Sequence, residues 1–326
     1  MLKLKISAQS FPIAGSFTIS RGSKTSADVV VVELEASGHK GWGEAVPYAR
    51  YHESVPLCLT ALETARDQIE RGVPRDHLSE FALPRAAQNA LDCALWDLEA
   101  KRSGKPVWAL AGLAQPKPKI TAFTLSLDEP ARMADAARAA AHLPLLKLKL
   151  GRDGDEERLA AIRAAAPKAR LIVDANEGWN EGNIERMLNH CFDHGVELVE
   201  QPLPQNQDEA LLHIKSKVLI CADESAHDAS SLRSLIGKYN AVNIKLDKTG
   251  GLTKALEMAQ EAKRQDFKIM VGCMVATSLA MAPAFVVAQT ADYVDLDGPL
   301  LLSRDRTPAI KYENGLMHPA PATLWG

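Results

Sequence analysis

Several features that would assign this chain to a specialised class of protein are scarce or missing. Aromatic residues make up only 5 % of the 326 positions, so the core must be built from aliphatic side chains and alanine. The five cysteines are odd in number, widely spaced and form no CxxC pair, which predicts reduced thiols in a cytoplasmic protein. No apolar run reaches the roughly eighteen residues of a membrane span, and the first residues lack the continuous apolar stretch of a signal peptide.

A strong excess of charge of either sign is also missing. The formal net charge is −3 and the sequence pI is about 6.3, so no generally basic surface is available for nucleic acid or membranes. Apolar residues at 46 % and charged residues at 24 % are typical of a globular protein, and 326 residues predict about two domains. We expect a small molecule as the partner, with no nucleic acid and no membrane, and the sequence leaves open a homo-oligomer.

The chain divides into two regions of different pattern. In residues 1–115, the β-branched run Val29–Glu35 and the glycines after it predict an antiparallel meander, and two helical patterns follow at Glu53–Arg71 and Pro84–Ser103. This region is interpreted as an α+β capping domain. Residues 116–304 form the second region, and the tail 305–326, which adds no further unit to it, is expected to complete the first domain.

A single rhythm of short apolar strands and helical stretches runs through the second region. Such alternation implies parallel strands joined by right-handed crossovers, and eight strands predict an α/β fold of the closed TIM-barrel type. An open doubly wound sheet is the alternative, but no GxGxxG follows the first strand. The predicted strands are Ile120–Leu127, Leu145–Leu150, Arg170–Asn176, Glu197–Leu203, Val218–Ser225, Ala241–Asp247, Lys268–Met274 and Tyr293–Gly298.

Charged residues stand at the carboxyl ends of these strands, where barrel enzymes build their sites. Because side chains alternate across a strand, Lys147 and Lys149 share one face, as do Asp295 and Asp297. Asn243, Lys245 and Asp247 also share a face, so all these groups are expected to point into the barrel mouth. One such residue alone would often be a turn or helix cap, as Asp223-Glu-Ser225 illustrates, but the whole set is difficult to explain in that way.

Two groups of residues within this set suggest a chemistry. Asp174, Glu200 and Asp223 end three successive strands, and three oxygen ligands without His or Cys suit Mg²⁺, with Mn²⁺ as the alternative. Lys149 and Lys245 are expected on opposite sides of that cation. One lysine could remove a proton from carbon while the other donates to the opposite face, and the cation would stabilise the enediolate between these steps.

Six short motifs in order carry a family resemblance: Lys-x-Lys, Asp-Ala-Asn, Glu-Gln-Pro, Ala-Asp-Glu-Ser, Asn-Ile-Lys and Asp-x-Asp. The chain resembles the muconate-lactonising branch of the enolase superfamily over nearly its whole length. Within that branch it is most similar to the dipeptide epimerases, in particular those that act on L-Ala-D/L-Glu. The resemblance implies a modified (β/α)7β barrel with an N-terminal capping domain, an isomerase activity and a role in the metabolism of peptidoglycan peptides.

The resemblance also implies residue roles. Asp174, Glu200 and Asp223 would bind Mg²⁺, and Lys149 and Lys245 would be the acid/base pair that moves the α-proton of the C-terminal residue. The expected substrate contacts are Lys147 to the carboxylate, Thr124 to the bound dipeptide, Asp295 and Asp297 to the free ammonium group, and Arg21 or Lys24 to a glutamate side chain.

Other activities on the same scaffold stay open. N-acylamino-acid racemase, o-succinylbenzoate synthase and cycloisomerase are the nearest alternatives, but their substrates lack the amine for which Asp295 and Asp297 are suited. Mandelate-racemase or sugar-acid dehydratase chemistry is disfavoured because no histidine ends a strand. A non-catalytic protein that binds small acids is a further alternative, against which the opposed lysines argue.

Overall fold

The computed structural model describes residues 2–326, which form two three-stranded antiparallel sheets and one eight-stranded parallel sheet. The strands are β1 (Lys3–Ile19), β2 (Gly22–Ala36), β3 (His39–Ala45), β4 (Lys119–Ile120), β5 (Phe123–Leu125), β6 (Leu145–Lys149), β7 (Arg170–Asp174), β8 (Val196–Glu200), β9 (Leu219–Ala222), β10 (Ala241–Ile244), β11 (Lys268–Gly272), β12 (Tyr293–Asp295), β13 (Tyr312–Glu313) and β14 (Leu316–Met317). The α-helices are α1 (Val55–Thr64), α2 (Arg66–Glu70), α3 (Arg85–Ser103), α4 (Val107–Leu110), α5 (Pro130–Ala139), α6 (Asp155–Ala165), α7 (Ile184–Asp193), α8 (Leu246–Thr249), α9 (Leu252–Arg264) and α10 (Ser278–Ala288). Short 3₁₀ helices lie at Ala49–Tyr51, Arg75–Glu80, Glu209–His213, Ala229–Leu235 and Gly298–Leu301.

The N-terminal region is the predicted antiparallel meander with helices packed on it. Strands β1, β2 and β3 pair in that order, and β3 lies against α3 at very short distance. Two glycines make this approach possible, because a Cβ on Gly41 would stand 2.2 Å from the carbonyl oxygen of Ala94 and one on Gly43 would stand 2.0 Å from that of Ala90. The position of β3 on the helix therefore depends on the absence of both side chains.

The second region is the predicted TIM-type barrel. Strands β5 to β12 follow one another in sequence order and pair in parallel, and the edges of the sheet approach each other where the amide of Ala122 donates to the carbonyl oxygen of Val294 at 2.8 Å. Apolar side chains of the strands and surrounding helices form the core. All eight predicted strands are present, which confirms the barrel and excludes the open doubly wound sheet.

The strands end earlier than predicted. The segment Ala241–Asp247 is a strand only to Ile244, after which α8 begins and turns Asp247 away from the barrel mouth. The Asp247 carboxylate accepts hydrogen bonds from the amide of Val46 at 3.0 Å and from Asn89 Nδ2 at 2.9 Å, both in the N-terminal region. The expectation that Asp247 shares the face of Lys245 is therefore wrong, because parity along a strand no longer applies once the backbone becomes helical.

Polar contacts and the tail connect the two regions. Glu44 at the end of β3 is buried and forms an ion pair with Arg306, and both also bind the hydroxyl of Thr277, the residue before α10. At the end of the chain, the indole of Trp325 donates to the carbonyl oxygen of Cys93 on α3. The domain boundaries at residues 115 and 304 stay predictions.

Two findings concern the predicted location. Among residues 2–326, no helix has the length and apolar character needed to cross a membrane. All five cysteines are free thiols, four of them buried.

Candidate active site

A cavity of about 620 Å³ lies where the carboxyl ends of the barrel strands meet the N-terminal region. Its wall combines charged residues from the barrel with residues from the β1–β2 turn and from the segment after β3. The charged and polar groups named in the sequence that line it are Arg21, Lys24, Thr124, Lys147, Lys149, Asp223, Lys245, Asp295 and Asp297. Asp174 and Glu200 lie just beneath this surface and are fully buried.

The lysines expected to act as a pair face the cavity from well-separated strands. Lys149 is the last residue of β6 and Lys245 follows the last residue of β10, and β7, β8 and β9 lie between these strands in the sheet. In an eight-stranded barrel, strands four positions apart are on opposite sides of the axis. The Phe17 ring of β1 lies 5.6 Å from the Lys149 ammonium and covers it on the side of the N-terminal region.

The three predicted metal ligands occupy the strands between the two lysines. Asp174 ends β7 directly beside Glu200, which ends β8, and Asp223 follows the last residue of β9. Asp174 Oδ2 lies 2.5 Å from Lys149 Nζ, and Asp223 Oδ2 lies 2.7 Å from Lys245 Nζ. Parallel register thus brings three buried carboxylates to one level of the barrel, each next to an ammonium group or another acid.

Burial and ion pairing act in opposite directions on these groups. Burial raises the pKa of Asp174 and Asp223, but the neighbouring lysines outweigh it and hold both pKa values below the usual range. For Glu200, burial and the nearby Asp174 charge prevail and raise the pKa to about 7. Burial alone would lower the pKa of Lys245, yet the carboxylates of Asp223 and Glu200 raise it well above its ordinary value.

The donor set fits Mg²⁺ chemically, although the side chains are arranged around lysines. In residues 2–326, no group of three or more acidic, His or Cys side chains already surrounds a cation position, since the ammonium groups stand beside the carboxylates. Glu200 Oε2 lies 2.6 Å from Lys147 Nζ but, within the described chain, accepts no hydrogen bond of suitable angle. A buried oxygen without a hydrogen bond is costly and is suited to a metal ion. A donor set made only of carboxylate oxygens suits a hard divalent cation.

Lys147 connects the carboxylates beneath the cavity to the last strand. Its Nζ lies 2.6 Å from Glu200 Oε2, 3.3 Å from Asp174 Oδ2 and 2.6 Å from Asp295 Oδ2. Asp297, two residues after the end of β12, accepts a hydrogen bond from the amide of Thr124 at 2.6 Å. Burial, together with the Asp295 charge, raises the pKa of Asp297 to about 7.

Arg21 and Lys24 differ in their contacts although both line the cavity. The Arg21 guanidinium pairs with Glu224 at 2.6 Å and with Glu177 at 3.1 Å, and it also donates to the carbonyl oxygen of Asn176. The Lys24 ammonium lies 5.1 Å from the centre of the Tyr48 ring, and no carboxylate of residues 2–326 lies within ion-pair distance of it. Lys24 is therefore the cation of the two that is available to a ligand.

Two further groups at the site, Lys248 and Glu224, were missed from the sequence, whereas Asn243 lies on the predicted face. Lys248 is buried and binds Asp223 Oδ1 at 2.6 Å, so Asp223 lies between two lysines. Asn243 Nδ2 donates to Glu200 Oε1 at 2.7 Å, and Glu224 holds Arg21. For Lys248 a signal was available, because it stands three residues after Lys245 and would share a helical face with it if the strand ended early.

Family models match both regions. Residues 1–112 match the model described as the mandelate racemase/muconate lactonizing enzyme N-terminal domain, and residues 130–323 match the enolase C-terminal domain-like model. The chain belongs to the enolase superfamily. Its barrel carries the candidate site at the carboxyl ends of the strands, which is the usual place in TIM-barrel enzymes.

Two curated relatives within the superfamily extend over nearly the whole chain. The chain is 44 % identical over 320 residues to the L-Ala-D/L-Glu epimerase of Escherichia coli K12. The match covers 98 % of this chain and 100 % of the relative. It is 45 % identical over 302 residues to the N-acetyl-D-glutamate racemase of a Pseudoalteromonas species, which covers 91 % and 95 %. The relatives are epimerases and racemases, and this superfamily member is an isomerase.

Solved structures agree with this assignment. An enolase family member from Agrobacterium tumefaciens with homology to dipeptide epimerases, which holds sodium and L-Ala-L-Glu, is 50 % identical, covers 100 % of both chains and has a TM-score of 0.98. A dipeptide epimerase from Enterococcus faecalis in complex with Mg and L-Leu-L-Tyr is 29 % identical, covers 98 % of this chain and 97 % of that chain, and has a TM-score of 0.91.

Proposed function

We propose that this enolase-superfamily member is a Mg²⁺-dependent epimerase that inverts the α-carbon of the C-terminal residue in L-Ala-D/L-Glu dipeptides. The observation that carries the proposal is the position of Lys149 and Lys245 on strands four apart in the barrel, both facing one cavity. An enzyme that inverts a carbon centre needs a base on one face and an acid on the other. A protein that only binds small acids has no need of that arrangement.

The two lysines exchange roles with the direction of the reaction. In each direction, one of the two lysines, in its neutral form, takes the α-proton. The electrons of the broken C–H bond move into the carboxylate group. The opposite lysine, as ammonium, then donates its proton to the other face of the same carbon. One C–H bond breaks and one forms, so substrate and product differ only in configuration.

The carboxylates of Asp174, Glu200 and Asp223 would hold the divalent cation. When bound, the cation would stabilise the negative charge that develops on the substrate carboxylate oxygens as the α-proton leaves. Mg²⁺ is the cation that the all-oxygen donor set favours, and Mn²⁺ accepts similar ligands. Lys147, which lies against Glu200 and Asp174, would bind the same substrate carboxylate and orient it.

The far end of the cavity suits the free amine of a dipeptide. Asp295 ends the last strand and Asp297 follows it by two residues, and the Asp295 Oδ1 atom is buried without a hydrogen-bond partner in the described chain. An ammonium group would satisfy this oxygen and gain a charge-assisted hydrogen bond. Thr124, whose amide already binds Asp297, would contact the dipeptide, and Lys24, the cation that no acid of the described chain pairs with, would face the glutamate side chain.

Racemisation of an N-acylated amino acid is the second candidate, because the relative with that activity is 45 % identical. The same two lysines and the same carboxylates would serve both reactions. The difference is the amine, since an acylated nitrogen carries no positive charge. Two buried carboxylates at the amine end therefore favour the dipeptide, because burying them beside a neutral acyl group is costly.

The proposal is tested by following both substrates in D₂O with Mg²⁺. Wild-type protein should exchange the α-hydrogen of the Glu residue of L-Ala-L-Glu and form L-Ala-D-Glu, observed by proton NMR and chiral analysis. Lys149→Met and Lys245→Met should each lower epimerisation more than about 100-fold, because each removes one half of the proton transfer. Lys254→Met, at a partly exposed lysine of α9, is the matched control and should retain activity.

One result would replace the dipeptide assignment with the second candidate. That result is no exchange with L-Ala-L-Glu but rapid α-exchange with N-acetyl-L-glutamate. Full epimerase activity in either Met variant would instead contradict the two-lysine reaction. The cytoplasmic location, the role in peptidoglycan peptide metabolism and the oligomeric state stay predictions.

A further inference from the structure

The turn between β1 and β2 is docked on the barrel mouth by an unusual number of polar contacts. Arg21 Nη1 and Ser20 Oγ both donate to the carbonyl oxygen of Asn176, at 2.8 and 2.9 Å. Arg152, from the segment after β6, donates to the carbonyl oxygens of Ile19 and Ser20. The turn is therefore held by its own Ser20 and Arg21 side chains and by Arg152, and all three contacts join it to segments that follow barrel strands.

The acids that bind Arg21 follow two of the proposed metal ligands closely in sequence. Glu224 is the next residue after Asp223, and Glu177 stands three residues after Asp174. Glu224 is 2 % exposed and its Oε1 atom lies 2.6 Å from Arg21 Nη2. A buried carboxylate that loses its cation is strongly disfavoured, so this ion pair resists separation.

The turn that Arg21 holds carries two residues of the cavity wall. In the β1–β2 pairing, Phe17 is opposite Lys24, and Ile19 is opposite Gly22 at the turn. Phe17 lies over the Lys149 ammonium, and Lys24 lies beside the Tyr48 ring. The position of the turn therefore decides where both side chains stand relative to a ligand.

We propose that Arg21 is a positioning residue, which anchors the β1–β2 turn to Glu224 and Glu177 and so holds Lys24, the cation already proposed to face the glutamate side chain, at the cavity. The inference rests on the proposed function for the identity of the ligand, but the anchoring itself does not depend on it. It also divides the roles of two cations that the sequence could not separate. Arg21 contacts the protein, and Lys24 contacts the ligand.

Two measurements on the full chain test this division. Hydrogen–deuterium exchange of residues 16–26 reports the anchoring, and the ratio of kcat/KM for L-Ala-L-Glu over L-Ala-L-Gln reports the selection. Arg21→Gln should raise the hydrogen–deuterium exchange rate of the turn by about tenfold, as expected for the loss of a hydrogen bond between charged groups. The same variant should lower the kcat/KM ratio of L-Ala-L-Glu over L-Ala-L-Gln. Lys24→Gln should lower the kcat/KM ratio about as much as Arg21→Gln does, and it should leave the exchange rate of the turn unchanged.

A double-mutant cycle and a matched control make the test specific. Arg21→Gln and Glu224→Gln should have non-additive effects on exchange, because either change breaks the same ion pair. Arg170→Gln removes an arginine–glutamate pair at the opposite end of β7 and should change neither measurement. Unchanged exchange in Arg21→Gln overturns the proposal, as does a ratio that falls in Arg21→Gln but stays at the wild-type value in Lys24→Gln. If wild-type protein epimerises no dipeptide, the proposed function fails, and the exchange data alone then decide the anchoring.

Discussion

Replacement of Asp297 by Asn separates the two candidate substrates, because it removes one charge from the amine end of the cavity and little else. The Asn side chain has nearly the same shape and keeps a carbonyl oxygen that can accept the Thr124 amide hydrogen bond, now 2.6 Å long. A hydrogen bond between charged groups contributes about 1.5–3 kcal/mol. If Asp297 binds the dipeptide ammonium, KM for L-Ala-L-Glu should therefore rise by about 10- to 150-fold.

The effect should be confined to binding of the amine. The proton transfer occurs at the C-terminal residue, so kcat should change much less than KM. N-acetyl-L-glutamate has no ammonium group, and any turnover of it should be equal or better in Asp297→Asn. Initial rates over a range of both substrates, measured with chiral product analysis, give the two constants separately.

A control at the other end of the same strand segment excludes a general effect of lost charge. Asp292 precedes β12 at the opposite end of the barrel and pairs with Lys268, so Asp292→Asn should leave both KM values unchanged. An unchanged KM for L-Ala-L-Glu in Asp297→Asn would refute the ammonium site. A loss of N-acetyl-L-glutamate turnover in the same variant would refute the reasoning from charge altogether.

Four further predictions follow from the site and its support. Chelation should abolish activity, and added Mg²⁺ should restore it. Lys248→Met removes the ammonium group that orients the Asp223 carboxylate, so it should weaken Mg²⁺ binding about 10- to 100-fold, as measured by calorimetry. Because the pKa of Asp297 is raised to about 7, kcat/KM for the dipeptide should fall as the pH drops below 7, and Asp297→Asn should weaken this acid limb in a pH profile. Gly43→Ala should lower the urea midpoint by an amount equivalent to about 1–3 kcal/mol, since its Cβ would overlap the Ala90 carbonyl, whereas Gly182→Ala would approach only the Asn180 side chain and should be nearly neutral.

The barrel and the order of its charged strand ends were predictable because each strand carries its own signal. Alternation of apolar and charged residues, as in Leu145–Lys149, identifies both the strand and the face that the lysines share. Parallel register then aligns strand ends, so Asp174 and Glu200 had to become neighbours once the strand order was known. None of this required knowledge of contacts between distant segments.

Strand ends were less predictable because they depend on the backbone and not on the side-chain pattern. Asn243-Ile-Lys245-Leu-Asp247 alternates perfectly in sequence, yet the helical turn α8 begins at Leu246. The turn ends at Gly250, which has φ +90°, and the pair Gly250-Gly251 is the signal that marks a helix end here. With that signal, Asp247 could have been assigned to the domain interface and Lys248 to the site.

The separation of Arg21 from Lys24 was beyond the sequence for a different reason. Both are cations on one short turn, and nothing local distinguishes a residue that binds protein from one that binds a ligand. The partners that occupy Arg21 lie 155 and 203 residues away, at Asn176 and Glu224. Only the fold decides which cation pairs with an acid of the chain. The cation left without such a partner is free to pair with a substrate carboxylate. The proposed role of Lys24 thus makes selectivity a property of the charge that tertiary structure leaves unpaired.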